Sequence, residues 1–326
     1  MRWFGPLIRY SLALLVLIAA VAGLFWVITM GKGSSAELGH PPFIGMHLSQ
    51  THTPQEFDEL MSYTFDGSVI FLDITDPFPT EFAKLVGPYG KTLLVYWETR
   101  TTLEPIYNGT FDTLIKKFVD ETAKYGYPVM MIPLHEMNLN ENGAPSWGYS
   151  EENTPELFVA TWRKLHDMFG DLPNVTWGID YNDDSIPSEE DAPDNSYEAF
   201  YPGDAYVDYV GVSAFNWLSY WQPFSDVVGP EVERLKQFKK PIYIFGTACG
   251  EDSFEKPYGI RKAQWIEGMF DYLVEHPEIE GLMWFNENKE EVWPVDPRVD
   301  PITGEEVASQ LAYNAFKTGL QKLLLL

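Results

Sequence analysis

The stretch "YPVMMIPLHEMN", Tyr127 to Asn138, decides how this chain is read. A proline opens a short continuous apolar run, and the run delivers a His-Glu pair, His135-Glu136, at its end. A buried strand with both faces covered reads this way, as parallel strands under helices do. A second stretch, "KKPIYIFGTACG", Lys239 to Gly250, has the same opening and the same apolar run, but ends in Gly246 where the first ends in an acid.

Outward from these two, similar runs recur along the chain: 43–49, 68–75, 91–98, 128–136, 174–180, 208–215, 241–246 and 281–287. Amphipathic patterns separate several of them, at 54–63, 111–126, 155–169, 230–238 and 261–276, and 307–326 closes the chain. Strands alternating with helices at this spacing predict an α/β fold, a (β/α)8 TIM barrel over 34–326 without internal repeat or second domain. In such a barrel the chemistry sits at the C-terminal strand ends. Those ends read Ser49, Asp73/Thr75, Trp97-Glu98, His135-Glu136, Asp180, Phe215-Asn216, Gly246 and Trp284/Asn286-Glu287. Trp147, Trp217, Trp221 and Trp293 fall in the loops that follow. Acids, amides and aromatic faces gathered at one mouth make a sugar site, because flat rings stack on sugar rings while polar groups take the hydroxyls.

Residues 1–33 read as an N-terminal membrane anchor and the start of a linker. "SLALLVLIAAVAGLFWVITM", residues 11–30, carries no charge, and Arg2 and Arg9 lie ahead of it. Its length suits a single-pass transmembrane helix, and the arginines predict a barrel on the extracytoplasmic side of the cell membrane.

Composition excludes some functions. The net charge is −26, with 48 acidic against 22 basic side chains, so nucleic acid is not an expected partner. The single cysteine, Cys249, forms no internal disulfide. "HEMNL" lacks the second histidine of a zinc helix, since Leu139 stands at that position. "DYNDDSIPSEEDAPDN" (180–195) lacks the ligand periodicity of a calcium loop and reads as a solvated acidic loop. No GxSxG elbow or strand-borne GxGxxG is present. No metal or cofactor is expected, and protein partners are left open.

"IPLHEMN", "PSWGY", "FYPGDAYVDYVGVSAFNW", "KKPIYIFGTACGE", "KAQWIEGM" and "GLMWFN" together resemble glycoside hydrolase family 26, over about residues 43–295. That family contains β-mannanases and related β-glucanases or xylanases on a (β/α)8 barrel. The resemblance makes Glu136 the general acid/base, His135 a wall of the adjacent sugar subsite, and Trp284 an aromatic platform. It puts the nucleophile on Gly246, which is vacant, and a tyrosine that orients the nucleophile on Phe215. A retaining glycosidase needs two carboxyl groups ~5–5.5 Å apart, and glycine supplies none. The expectation is therefore a barrel that binds or acts on a β-linked polysaccharide or oligosaccharide of β-mannan or β-glucan type, with hydrolysis weak or absent. Trp97, Glu98, Trp147, Asp180, Phe215, Trp217 and Glu287 join His135 and Trp284 as substrate-binding candidates. Two alternatives stand beside it. One is an inverting enzyme that uses Glu136 as acid and Glu98, Asp180, Glu251 or Glu287 as a relocated base. The other is a nucleophile-deleted variant of a retaining endo-β-glycanase.

Overall fold

A computed structural model describes residues 41–48, 52–140, 144–251, 257–297 and 308–326. Residues 11–30, expected to span a membrane, lie outside these; among the described residues no helix is long and apolar enough to cross one.

Eight parallel strands close into a barrel in chain order. They are β1 (Phe43–Leu48), β2 (Gly67–Asp73), β3 (Thr92–Glu98), β4 (Val129–Pro133), β5 (Val175–Asn182), β6 (Tyr209–Ser213), β7 (Ile242–Thr247) and β8 (Ile279–Asn286). Pairing of β1 with β8, from Phe43↔Gly281 to Leu48↔Asn286, closes the ring. The helices are α1 (Pro54–Met61), α2 (Thr80–Ala83), α3 (Glu104–Tyr107), α4 (Asp112–Tyr125), α5 (Pro155–Phe169), α6 (Tyr197–Phe200), α7 (Phe224–Leu235), α8 (Ile260–Glu275) and α9 (Gln310–Leu323). Their starts are written locally. Thr53 and Glu56 form a reciprocal capping box at α1, and the Thr154 and Ser309 hydroxyls cap α5 and α9.

Alternation along the strands separates two cores. Val69, Leu94, Tyr96, Met130, Ile132, Tyr243, Phe245 and Met283 fill the lumen. The intervening residues, among them Val95, Trp97, Met131, Ile244, Leu282 and Trp284, pack outward with the helices. The lumen is tight where large rings meet glycines. A Cβ on Gly178 would lie 2.4 Å from the Phe245 ring, and one on Gly211 would lie 2.2 Å from the Tyr243 carbonyl oxygen.

The register of β7 slips between its pairs with β6: Val212 pairs Ile244, but Ser213 pairs Gly246. A bulge re-aims side chains, and here both Phe245 and Gly246 are turned inward.

Gly211 faces a backbone atom that cannot swing aside. Gly211→Ala is expected to destabilise the barrel by about 1–3 kcal/mol, read from urea denaturation of the wild type and the variant.

Candidate active site: a cleft of carboxyl groups and aromatic rings

The apolar run of β4 ends at Pro133, two residues before the His-Glu pair. The expectation of a strand through 136 is corrected by the backbone. Leu134 and Glu136 both have φ in the left-handed region, 55° and 53°. The turn is held by neighbours, Leu134 N–H donating to Trp97 O (2.9 Å) and Glu136 N–H to Asp180 O (2.8 Å). Two non-glycine residues in this region are locally unfavourable, and such strain persists where surrounding structure fixes it. Its effect is to lift the Glu136 carboxyl into the mouth of the barrel.

That mouth is a cleft of about 610 Å³, bordered by Glu98, His135, Glu136, Asn182, Asp183, Asp184, Ser213, Phe215, Trp217, Gly246, Phe285, Glu287 and Trp293 among others. Glu136 Oε1 accepts from Asn182 Nδ2 at 2.7 Å. His135 stands between two carboxylates, Nε2 3.2 Å from Glu98 Oε1 and Nδ1 3.6 Å from Glu136 Oε2. Burial works against charge on the ring, but hydrogen bonds to Glu136 and Glu98, with the fields of Glu136 and Asp180, outweigh it. They hold the His135 pKa up at about 10, so the ring is imidazolium at neutral pH. Trp147 fixes this turn from behind, its indole N–H donating to His135 O at 2.8 Å.

His47 is the opposite case. It stacks on Phe285 with centroids 4.8 Å apart. Burial, then the positive charge of Lys289, lowers its pKa to about 4, so it is neutral. Its Nδ1 has no hydrogen-bond partner and lies 3.7 Å from Glu287 Oε2.

Several expected site residues are elsewhere. Trp284 has no exposed surface, and its ring packs between barrel and helices against Phe316 (5.1 Å) and Trp265 (6.1 Å). It is therefore not a platform. Period-two alternation gives the inward position on β8 to Phe285. Trp97 is corrected in the same way: it is 1% exposed and packs on Phe118 and Phe169. Asp180 lies beneath the cleft, fully buried, with Oδ2 accepting from Ser213 Oγ at 2.8 Å and Oδ1 unpaired. Burial and the charge of Glu136 push its carboxyl well above the usual range. Glu251 is buried against Lys262, far from the role of a base, and Trp221 lies under the Arg261 guanidinium. Glu98, His135, Glu136, Phe215, Trp217, Gly246 and Glu287 do meet in the cleft.

Sequence reasoning missed Asn182, Asp183 and Ser213. The first two sit where β5 runs past its expected end at 180. Asp183 is held by its N–H on Ser213 O (3.1 Å). Burial, followed by the charges of Asp184, Glu136 and Glu231, raises its carboxyl to about 8. The acidic stretch 180–195 is tied by amide side chains. Asn138 Nδ2 donates to Asn182 O (2.9 Å) and Asp184 O (3.2 Å), and Asn195 Nδ2 donates to Asn138 O (3.0 Å). Among the described residues no group of three His, Cys, Asp or Glu side chains is arranged to hold a metal ion.

An eight-stranded (β/α)8 barrel with acids and aromatic rings at its C-terminal mouth is the class of protein that fold and site define. The model of glycosyl hydrolase family 26 matches residues 102–233, which include the His135-Glu136 turn and the end of β6. A curated relative, endoglucanase H of Acetivibrio thermocellus, is 29% identical over 304 residues, which is 88% of this chain; the chain spans about a third of that relative's length, 32%. Among solved structures, the catalytic domain of an endo-β-1,4-mannanase from a Bacillus species aligns with a TM-score of 0.59 at 14% identity, covering 85% of each chain. A modular endo-β-1,4-mannanase from Cellulomonas fimi aligns with a TM-score of 0.57 at 13% identity, covering 85% of this chain and 70% of the other. These structures share the fold. The chain resembles glycoside hydrolase family 26, as its motifs implied.

The raised carboxyl of Asp183 has a consequence for stability. Its folded pKa, about 8, lies above the ordinary 3.8, so its contribution is full below about pH 4 and is lost as pH rises through 8. Asp183→Asn is therefore expected to leave stability unchanged near pH 4 and to raise it by on the order of 1–3 kcal/mol at pH 8.5. Urea denaturation of both proteins at the two pH values checks this.

Proposed function

We propose that the cleft binds a β-linked glycan of β-glucan or β-mannan type, and that hydrolysis through a covalent glycosyl-enzyme is weak or absent. The observation that carries this reading is at β7. Gly246 borders the cleft with Glu136, and a Cβ built on it would lie 2.5 Å from Ser213 Oγ and 3.4 Å from the Phe215 ring. The place from which a side chain would leave β7 toward the cleft is occupied by the Ser213 hydroxyl, itself bonded to Asp180. Glu136 thus has no second carboxylate reaching in from β7. A retaining mechanism needs one within ~5–5.5 Å to attack the anomeric carbon. Phe215 fits the same arrangement, since a phenolic hydroxyl there would have no carboxylate to orient.

The acid side is complete by contrast. The Glu136 carboxyl is oriented by Asn182 and faces the His135 imidazolium. Phe215, Trp217 and Phe285 supply apolar faces for sugar rings. The glycan class is supported by the matched family and by the endoglucanase and mannanase names that the relatives carry. Anchoring through residues 11–30, with the cleft outside the cytoplasm, is part of the same proposal, because a polymeric glycan meets the protein there.

A second reading, hydrolysis with a relocated carboxylate, is favoured by the number of acids in the cleft: Glu98, Asp183, Asp184 and Glu287 border it with Glu136. In that reading water replaces the enzyme nucleophile and the product is inverted.

Product analysis on mixed-linkage glucan, mannan and xylan separates these. The wild type is expected to bind oligosaccharide while turning over at least ~10³-fold more slowly than a variant carrying Gly246→Glu, Ser213→Gly and Phe215→Tyr together. Gly246→Glu alone is expected to gain little, because Ser213 blocks the new side chain. Robust wild-type hydrolysis with inverted product would replace this reading by the second. Azide acceleration of an activated β-glycoside, giving an α-azide, would show that the nucleophile was simply lost.

A further inference from the structure

A buried ion pair lies outside the cleft and takes no part in the chemistry so far. Lys262, on α8, and Glu251, just after β7, have fully buried side chains, with Nζ 3.6 Å from Oε2. A buried charge pair is costly unless its remaining hydrogen bonds are filled, and here they are filled by two segments distant in sequence, the loop after β8 and the start of α9. Lys262 Nζ donates to Val292 O and Pro294 O, each at 2.7 Å, so it grips the loop after β8 on both sides of Trp293. Glu251 accepts from Ser309 N–H, at 3.1 and 3.2 Å, at the start of α9.

The gripped loop reaches the cleft. Trp293, 1% exposed, is a wedge whose ring meets Trp217 edge-on at 5.0 Å and Phe215 at 5.5 Å. Two residues earlier, the Glu291 carboxylate accepts from Leu218 N–H at 3.0 and 3.2 Å, tying down the residue after Trp217. Gly250 leaves the space for that contact: a Cβ there would lie 1.7 Å from Glu291 Oε2. Trp217, which is half-buried, faces the cleft at the end of this chain of contacts.

We propose that Lys262, neutralised by Glu251, is a positioning residue for the glycan cleft: it fixes the loop after β8, and that loop, through Trp293 and Glu291, holds Trp217 as an aromatic face for a sugar ring. The proposal rests on the glycan-binding reading for its ligand, but not for its geometry. Lys262 touches no substrate. It acts through Trp293 and the Glu291–Leu218 contact.

The test uses the double variant Lys262→Met/Glu251→Gln, which removes both charges and keeps an acceptor for Ser309. Its affinity for cellohexaose, mannohexaose and mixed-linkage glucan oligosaccharides is compared with that of Trp217→Ala, and the two changes are then combined. The expected result is a loss of roughly tenfold for either alone and no further loss in combination. Unchanged affinity in the double variant, or losses that multiply, would overturn the proposal. A wild type that binds none of the three would remove the glycan reading, and the indole N–H resonance of Trp217 then decides. Displacement or broadening in the double variant supports positioning, and an unmoved resonance refutes it. If the double variant does not fold, Lys262→Arg substitutes, because it keeps the positive charge beside Glu251 while its planar guanidinium cannot hold Val292 O and Pro294 O as the ammonium does. The same Trp217 resonance should move; if it does not, Lys262 does not position the loop and the proposal is overturned.

Discussion

Closure of the barrel is the constraint on which everything else depends. A parallel sheet has no satisfied edge until β1 pairs with β8, and closure then forces every strand to divide its side chains between a narrow lumen and the helix layer. The lumen admits rings only where a neighbouring strand gives up its side chain, as Gly178 and Gly211 do for Phe245. Which residues reach the mouth follows from that division. The Phe285 ring stacks on His47 at the mouth, whereas the ring of Trp284, next to it in sequence, is buried against Trp265 and Phe316.

The mouth concentrates negative charge, and the His135 imidazolium is what makes that tolerable. It lies between Glu98 and Glu136 and turns one ring nitrogen toward each carboxyl group. Asp180, beneath the cleft, and Asp183, at its edge, are both driven upward by burial and by the Glu136 charge. One side of the cleft is thus organised around Glu98 and Glu136 with the His135 cation between them, and the other around buried acids and a hydroxyl.

The two sides have opposite histories of constraint. On the β4 side, backbone in an unfavourable region is held by Trp97 O and Asp180 O, and Asn182 and Trp147 orient what the turn presents. On the β7 side the register slips, the residue facing the cleft is glycine, and Ser213 closes over it. The aromatic wall next to it is supported from outside the barrel by a buried lysine. The proposed glycan-binding function rests on these three features: Glu136 oriented by Asn182, a β7 end without an acid, and an aromatic wall tied to the loop after β8.

By itself the sequence determined the eight apolar runs, the helical spacing between them and hence the barrel, because continuous burial of parallel strands leaves a composition signature in one dimension. It also determined that His135 and Glu136 belong at one strand end and that Gly246 brings no acid to the equivalent place, because those are matters of residue type and spacing. Tertiary structure decided which aromatic residues face the cleft, since one residue of register exchanges the two sides of a strand, and so it placed Trp284 and Trp97 in the helix-facing core. It decided that Asp183 and Ser213 enter the site and that Asp180 and Glu251 do not, because burial and partners come from strands and loops distant in sequence. A carboxylate at a strand end can be read from the chain, but whether it meets solvent, an imidazolium or a lysine depends on neighbours that only the closed barrel supplies.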